Sequence, residues 1–236
     1  MQFRLILFFL AFVSTASLSA QCVGTSGQVT WHYWEDINHY DIAQLYIDDT
    51  YPMGPDKVNT LTSLKTPQNY DDLYGAVTKG FVSVPTTSQV TFNITADDRT
   101  IFYLSSDATS ANLDSLVSVP GWTRTDEHNK YPLQTSNEIT MTANQLYYFE
   151  LHHYEGGGGD HASIFWQRPY VSDSTWQLIT SPFLTDVCDP ICPPKGTACD
   201  DGDATTTDDI EDGSCNCVGV PVSMGATIGE RGIIDC

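Results

Sequence analysis

Residues 89–95 read Gln-Val-Thr-Phe-Asn-Ile-Thr, a strict alternation that puts Val90, Phe92 and Ile94 on one face of an extended strand. Val29, Trp31 and Tyr33 alternate in the same way. Further runs rich in β-branched and aromatic residues occupy 100–105, 137–141, 145–154 and 161–167. Turn formers separate them: Pro85, Asp97-Asp98, Pro120-Gly121, 142–144 and the glycines 156–159. Only 41–47, with Ile42, Leu45 and Tyr46, carries the spacing of a helical turn or two. Many short strands with almost no helix predict an all-β fold, an antiparallel sandwich or barrel.

The cysteines divide the chain. Of seven, none lies between 23 and 187, and five crowd into 188–217. This predicts a cysteine-free domain over 21–187 and a small disulfide-rich module over 188–236. Cys22 and Cys188 bracket the large domain, and a bridge between them would close a loop worth up to ~5 kcal/mol in the chain-entropy model. The next four cysteines allow three pairings, and Cys236 is left odd. Zinc is the competing use, but the C-x6-C-x15-C-x-C spacing lacks the close pairs of common zinc sites. Disulfides require an oxidising compartment, and residues 1–20 read as the signal peptide that would deliver the chain there. Arg4 supplies the positive start, 5–13 is an unbroken apolar run, and Ser17, Ser19 and Ala20 supply small residues for cleavage after Ala20 or Ser19. Nine apolar residues are too few to span a bilayer, which takes about 20. The expected mature chain is secreted or displayed on a surface, with no membrane insertion.

Charge narrows the partners. Thirty acids face ten Lys and Arg, a formal charge of −20, although charged residues make up only 17% of the chain. The imbalance is a shortage of bases. It argues against nucleic acid, whose phosphates need clustered Lys and Arg, and against an anionic membrane face. It favours cations wherever carboxylates converge.

A longer series of segments resembles the PA14 domain, shared by protective antigen, flocculins, adhesins and some glycosidases. The pieces, in order, are Gly80-Phe81-Val82 with Pro85, Val90-Thr91-Phe92, Ala96-Asp97-Asp98-Arg99 and Ile101-Phe102-Tyr103-Leu104-Ser105. Pro120-Gly121-Trp122-Thr123, Lys130-Tyr131-Pro132 and Gln134-Thr135-Ser136 follow, then Leu146-Tyr147-Tyr148-Phe149-Glu150 and the loop 155–161 ending at Trp166-Gln167-Arg168-Pro169. The resemblance implies a β-sandwich with a shallow site built from loops at one end. In lectin-like members the Asp-Asp pair is joined by a cis peptide and holds calcium, which then receives two sugar hydroxyls. On that resemblance Asp97 and Asp98 are expected metal ligands.

Calcium takes six to eight hard oxygens, and adjacent carboxylates on a tight turn can supply two or more; the plainer use of such a pair is a solvated turn. The loop Glu155-Gly-Gly-Gly-Gly-Asp160 resembles the second calcium-binding loop of the sugar-binding members. That likeness makes Asp160 the third side-chain ligand, with carbonyls of Gly157, Gly158 and Gly159 close to the ligand. Arg99 departs from the small residue that often follows the acidic pair and is placed near an acidic ligand or turned away. Trp122, in a loop, is the expected aromatic platform for a sugar ring, whereas Trp166 is expected in the core. His152 and His153 alternate to opposite faces and are expected on the strand surface. Asn93-Ile94-Thr95 fits a glycosylation acceptor but sits inside a strand.

The tail carries seven acids between Asp200 and Asp212. It loosely echoes an EF-hand loop and resembles short Cys-rich repeats that follow adhesive modules in bacterial surface proteins. The expected function is a calcium-dependent, non-catalytic carbohydrate-binding module of adhesin type, with glycans on a surface as partners and the tail as spacer. The rivals are a structural stalk without a sugar ligand and the accessory PA14 domain of a larger glycan-active enzyme.

Overall fold

The computed structural model describes residues 22–37, 41–168, 175–188, 196–211 and 217–221. The expected signal peptide over 1–20, together with Cys192, Cys215 and Cys236, lies outside them. Strands run in the order β1 (Val23–Ser26), β2 (Val29–Trp34), β3 (Lys57–Leu61), β4 (Tyr74–Val82) and β5 (Ser88–Asp97). They continue as β6 (Thr100–Ser105), β7 (Leu113–Val119), β8 (Ile139–Met141), β9 (Tyr147–Glu155) and β10 (His161–Gln167). β11 (Gln177–Leu178) and β12 (Leu184–Val187) complete the large domain, and β13 (Thr206–Glu211) pairs with β14 (Cys217–Pro221) in the tail. The larger sheet is ordered β1-β12-β4-β9-β6-β7, with β2 joining β3 to β4; the smaller is ordered β11-β10-β5-β8. The all-β antiparallel sandwich is therefore the fold.

Alternation places the core. Val90, Phe92 and Ile94 turn from β5 toward the larger sheet, where the Phe92 ring lies 5.9 Å from Phe102 and Phe102 lies 5.6 Å from Phe149. Trp166 on β10 closes the layer 6.2 Å from Phe92. Each such ring, fully removed from water, stabilises the fold by roughly 1.5–3 kcal/mol. The helical spacing over 41–47 becomes a 3-10 helix, Ile42–Ile47, started by the Asp41 side chain accepting from Ala43 N at 3.1 Å. Leu45 packs so close to β4 that a Cβ on Gly75 would meet its side chain at 2.9 Å, so a larger residue there would displace Leu45. A Cys22–Cys188 disulfide joins the two ends of the domain, and Asp186 accepts from Thr30 N at 3.1 Å and Thr30 Oγ1 at 2.6 Å beside it. In the tail a second disulfide joins Cys199 to Cys217. Among the described residues no helix is long and apolar enough to cross a membrane.

One expectation is corrected here, and Asn93 lies inside a strand as read. The outer face of β5 is covered by the segment 123–135, because its loop carbonyls and Gln134 find partners on the strand. Gln134 Nε2 donates to Ile94 O at 2.9 Å and Glu127 O at 2.7 Å, and the buried Asn93 amide donates to His128 O and Thr135 Oγ1. The folded chain therefore keeps Asn93 out of reach of glycosylation. His152 and His153 do point to opposite faces, but both are buried rather than on the surface. His152 is bracketed by Tyr46 Oη at 2.7 Å and Glu150 Oε2 at 2.6 Å, under the 3-10 helix. His153 lies behind the acidic pair.

Candidate metal and ligand site

Two chain crossings between the sheets meet at one end of the sandwich. The turn at Asp97-Asp98-Arg99 carries the chain from β5 in the smaller sheet to β6 in the larger. The glycine loop carries it back from β9 in the larger sheet to β10 in the smaller. Because Asp97 registers with His161 on β10 and Thr100 registers with His153 on β9, both ends of the glycine loop flank the acidic turn. The position of the site thus follows from sheet register.

The Asp97–Asp98 peptide is cis, as the resemblance implied. His153 Nε2 donates to Asp97 O at 2.8 Å, and Tyr154 N donates to Arg99 O at 2.9 Å, so β9 holds the turn from behind. Gly156 N donates to Asp98 Oδ2 at 3.1 Å, tying the second loop to the first. Gly157 and Gly158 have φ of +153° and +116°, backbone that side-chain-bearing residues rarely adopt. That conformation lets Gly158 N reach Asp72 Oδ1 at 3.0 Å.

One carboxylate oxygen each from Asp97, Asp98 and Glu155 lies within 4.8 Å of the others. Asp160 sits beside this group and is buried, with Oδ2 accepting from Tyr70 N at 2.8 Å and Asp71 N at 3.1 Å. Its Oδ1 has no hydrogen-bond partner, nor has Glu155 Oε2, and both atoms are buried. The Tyr74 hydroxyl feels the charges of Asp160 and Glu155 but makes no well-formed hydrogen bond. Each orphaned buried polar atom costs about 1–3 kcal/mol, and here they share one end of the molecule. Burial first, and then Asp98, pushes the Asp97 carboxyl up to about 6 and the Glu155 carboxyl up to about 8. Burial also holds His153 below its ordinary value and pushes His161 down to about 4, so both imidazoles are neutral at neutral pH. The open donors are hard carboxylate oxygens, the set that suits calcium rather than a soft metal.

The remaining expected residues surround this cluster. Trp122 is 52% exposed, with Lys130 Nζ 3.2 Å from its ring centroid and donating to Trp122 O at 2.7 Å. Its neighbour Thr123 fastens the loop to β5, accepting Ala96 N on Oγ1 at 3.0 Å and donating N to Ala96 O at 2.6 Å. Arg99 Nη1 lies 3.4 Å from Asp41 Oδ2. A hollow of about 210 Å³ lined by Asp98, Arg99, Pro120, Gly121 and Tyr154 opens beside the cluster. A larger one of about 470 Å³ lies at the other end of β6, around Leu104 and Ile139, away from the converging carboxylates.

Glu155 was readable as a carboxylate at the loop's end but not as a member of the cluster. The signal was strand alternation: on β9, Phe149, Leu151, His153 and Glu155 share a face, so Glu155 turns inward where the core ends. The segment 69–72, which clasps Asp160 and Gly158, gave no comparable signal.

A β-sandwich with an acidic site built where two loops cross between its sheets is the class of protein defined by this geometry. The chain belongs to the PA14 family, whose PA14 domain profile matches residues 33–178. It is 29% identical over 164 residues to the N-acetyl-beta-glucosaminyl-glycoprotein 4-beta-N-acetylgalactosaminyltransferase 1 of Mus musculus, which covers 67% of this chain and 16% of the transferase. The matched part thus spans about a sixth of that relative. Among solved structures, the PA14 sugar-binding domain of an RTX adhesin superposes with a TM-score of 0.50 at 12% identity, covering 69% of this chain and 99% of that domain. The Epithelial Adhesin 6 A domain of Candida glabrata, solved with Galb1-3GlcNAc, gives a TM-score of 0.49 at 11% identity, with 73% and 95% covered.

Proposed function

We propose that the chain is a secreted or surface-displayed module that binds carbohydrate through calcium, with residues 21–187 as the binding domain and 188–236 as a Cys-rich spacer of the bacterial surface-protein kind. The observation that carries this reading is the convergence of Asp97, Asp98 and Glu155 from two crossing loops, beside a buried Asp160 oxygen that has no partner. Asp97, Asp98 and Glu155 would hold the ion, with Asp160 Oδ1 and carbonyls of Gly157, Gly158 and Gly159 as further oxygens. Calcium, when bound, offers positions where vicinal sugar hydroxyls can replace water. Trp122, with Lys130 over one face of its ring, would offer the other face to a sugar, and Thr123 keeps the loop in place. The same fold carries sugar binding in the RTX adhesin's domain.

The test is glycan-array binding with calcium and with chelator, repeated on a double substitution of Asp97→Ala and Asp98→Ala. Calcium-dependent binding by the parent that vanishes in the double variant is expected; binding that survives there would sink the site. The second reading, an accessory module of a glycan-active enzyme, draws on the transferase relative. Turnover of a glycan by this chain alone would replace non-catalytic binding with catalysis.

A further inference from the structure

A second space of about 360 Å³ adjoins the hollow beside the acidic pair: Arg99 and Pro120 line both, and Asp41, Ile42, Ile101, Ser115, Ser118 and Val119 bound the second. That volume lies within the ~300–1,000 Å³ range of small-ligand clefts. Its walls combine the apolar Ile42, Ile101 and Val119 with the hydroxyls of Ser115 and Ser118. Such a surface suits a pyranose ring, which has a C–H face and a hydroxyl rim.

Arg99 stands where the two spaces join. It is one of only ten Lys and Arg in a chain of formal charge −20, yet it belongs to the turn that carries the acidic pair. Its ion pair with Asp41 brings a single nitrogen to 3.4 Å, and both side chains are nearly half exposed, at 46% and 48%. An exposed pair of that kind holds its partners weakly. A guanidinium has five donors in a planar fork and binds a carboxylate or sulfate better through two parallel hydrogen bonds. A ligand oxyanion can therefore take over Arg99 at little cost.

We propose that this groove is a second subsite that takes an oxyanion-bearing sugar unit, a uronate or a sulfated sugar, paired with Arg99 while an adjoining unit sits at Asp97 and Asp98. The proposal rests on the carbohydrate-binding reading above and adds the ligand's charge. Asp41 is its gate, competing with the ligand for the same guanidinium.

The experiment compares matched probes at saturating calcium by titration calorimetry. One pair is a glucuronate-terminated disaccharide and its glucose counterpart; the other is a 6-sulfated galactose disaccharide and its unsulfated form. At least one anionic probe is expected to bind about tenfold tighter than its neutral partner, and which pair does so separates uronate from sulfate. In Arg99→Gln the ratio should fall to about one, and in Asp41→Asn it should rise. A separate readout is the Arg99 Nε–H resonance, which should move on addition of glucuronate and stay put with glucose. Equal affinities within both pairs would overturn the anionic subsite while leaving calcium-dependent binding intact. Calcium-dependent binding of no probe would overturn both readings. If Arg99→Gln does not fold, Asp41→Asn decides: an unchanged or lower ratio counts against the proposal.

Discussion

The chain gathers carboxylates twice, and the two gatherings differ in how far they are buried. At the end of the sandwich Asp97, Asp98 and Glu155 are drawn together by sheet register, with Glu155 fully buried and one of its oxygens lacking a partner. In the tail Asp200, Asp201 and Asp209 also come within ligating distance of one another, but the first two are exposed. Their neighbourhood supplies most of the donors: Gly202 N reaches Asp200 Oδ1 at 2.9 Å, Asp203 N reaches Asp201 Oδ1 at 2.8 Å, and Asp201 N reaches Asp209 Oδ2 at 3.2 Å, while Asp209 Oδ1 is left without a partner. Burial pushes Asp97 and Glu155 up, whereas next to the tail cluster hydrogen bonds from the Thr205 hydroxyl and amide hold Asp203 below its ordinary value. The difference is one of degree: two partnerless buried carboxylate oxygens, on Glu155 and Asp160, at the sandwich end against one, on Asp209, in the tail.

The largest difference to test is mechanical. The Cys22–Cys188 bridge spans 166 residues and Cys199–Cys217 spans 18. In the chain-entropy model the first contributes ~5 kcal/mol and the second about 3 kcal/mol. Replacing Cys22 and Cys188 by serine should lower the melting temperature of the whole sandwich by roughly 10 °C or more. Replacing Cys199 and Cys217 should leave that transition in place. Equal shifts in calorimetry would mean that the tail and the sandwich unfold as one unit.

Calcium comes next. Metal at about 100 times its dissociation constant stabilises by about 2.7 kcal/mol, which should raise the sandwich transition by roughly 5–10 °C. The combined Asp97→Ala and Asp98→Ala variant should lose that rise entirely. Glu155→Gln should keep part of it, with calcium affinity down roughly tenfold, a loss of about 1.4 kcal/mol. The same Glu155→Gln variant should be more stable than the parent without calcium at pH 8, because it removes a buried charge. Lower calcium-free stability in that variant would identify Glu155 as a structural residue.

The sign of the pH response follows from the same groups. With folded-state values of about 6 for Asp97 and about 8 for Glu155, both above the ordinary carboxylate range, the folded chain holds more protons than the unfolded one. The contribution of these two groups to the calcium-free sandwich is then greatest below about pH 4 and is lost as pH rises through about 8. Excess calcium displaces those protons, so its stabilising effect should grow over the same interval. A calcium effect that is flat in pH would separate Glu155 from the ion.

Much of the fold was legible because alternation survives wherever one face is buried. Residues 100–105 and 161–167 became β6 and β10 with the same bounds, and the acidic turn and glycine loop were found by residue type alone. β4 was read only through its Gly80-Phe81-Val82 end, because eight of its nine residues are buried and no polar face marks the rest. The histidines were misread for the same reason: a strand covered on both sides hides its polar residues as well. Glu155 joins the cluster through pairing with strands some fifty residues away, and Asp160 is clasped by a segment 90 residues earlier. Neither relation is local, so neither leaves a mark in local pattern.

The smallest expected effect is also the sharpest test of the contrast between the two acidic gatherings. Asp200→Asn combined with Asp209→Asn removes two charges from the tail but keeps an oxygen acceptor at each position for the backbone bonds they now accept. Asp200 is exposed and Asp209 half-buried, and near-isosteric changes of this kind are expected to change stability by no more than about 1 kcal/mol. The calcium-induced rise of the sandwich transition should be the same in this variant as in the parent, and so should calcium-dependent glycan binding. If a share of the calcium response disappears with the tail carboxylates, then the tail aspartates are also taking up the ion. The sandwich end would then not be the only cation site among the described residues.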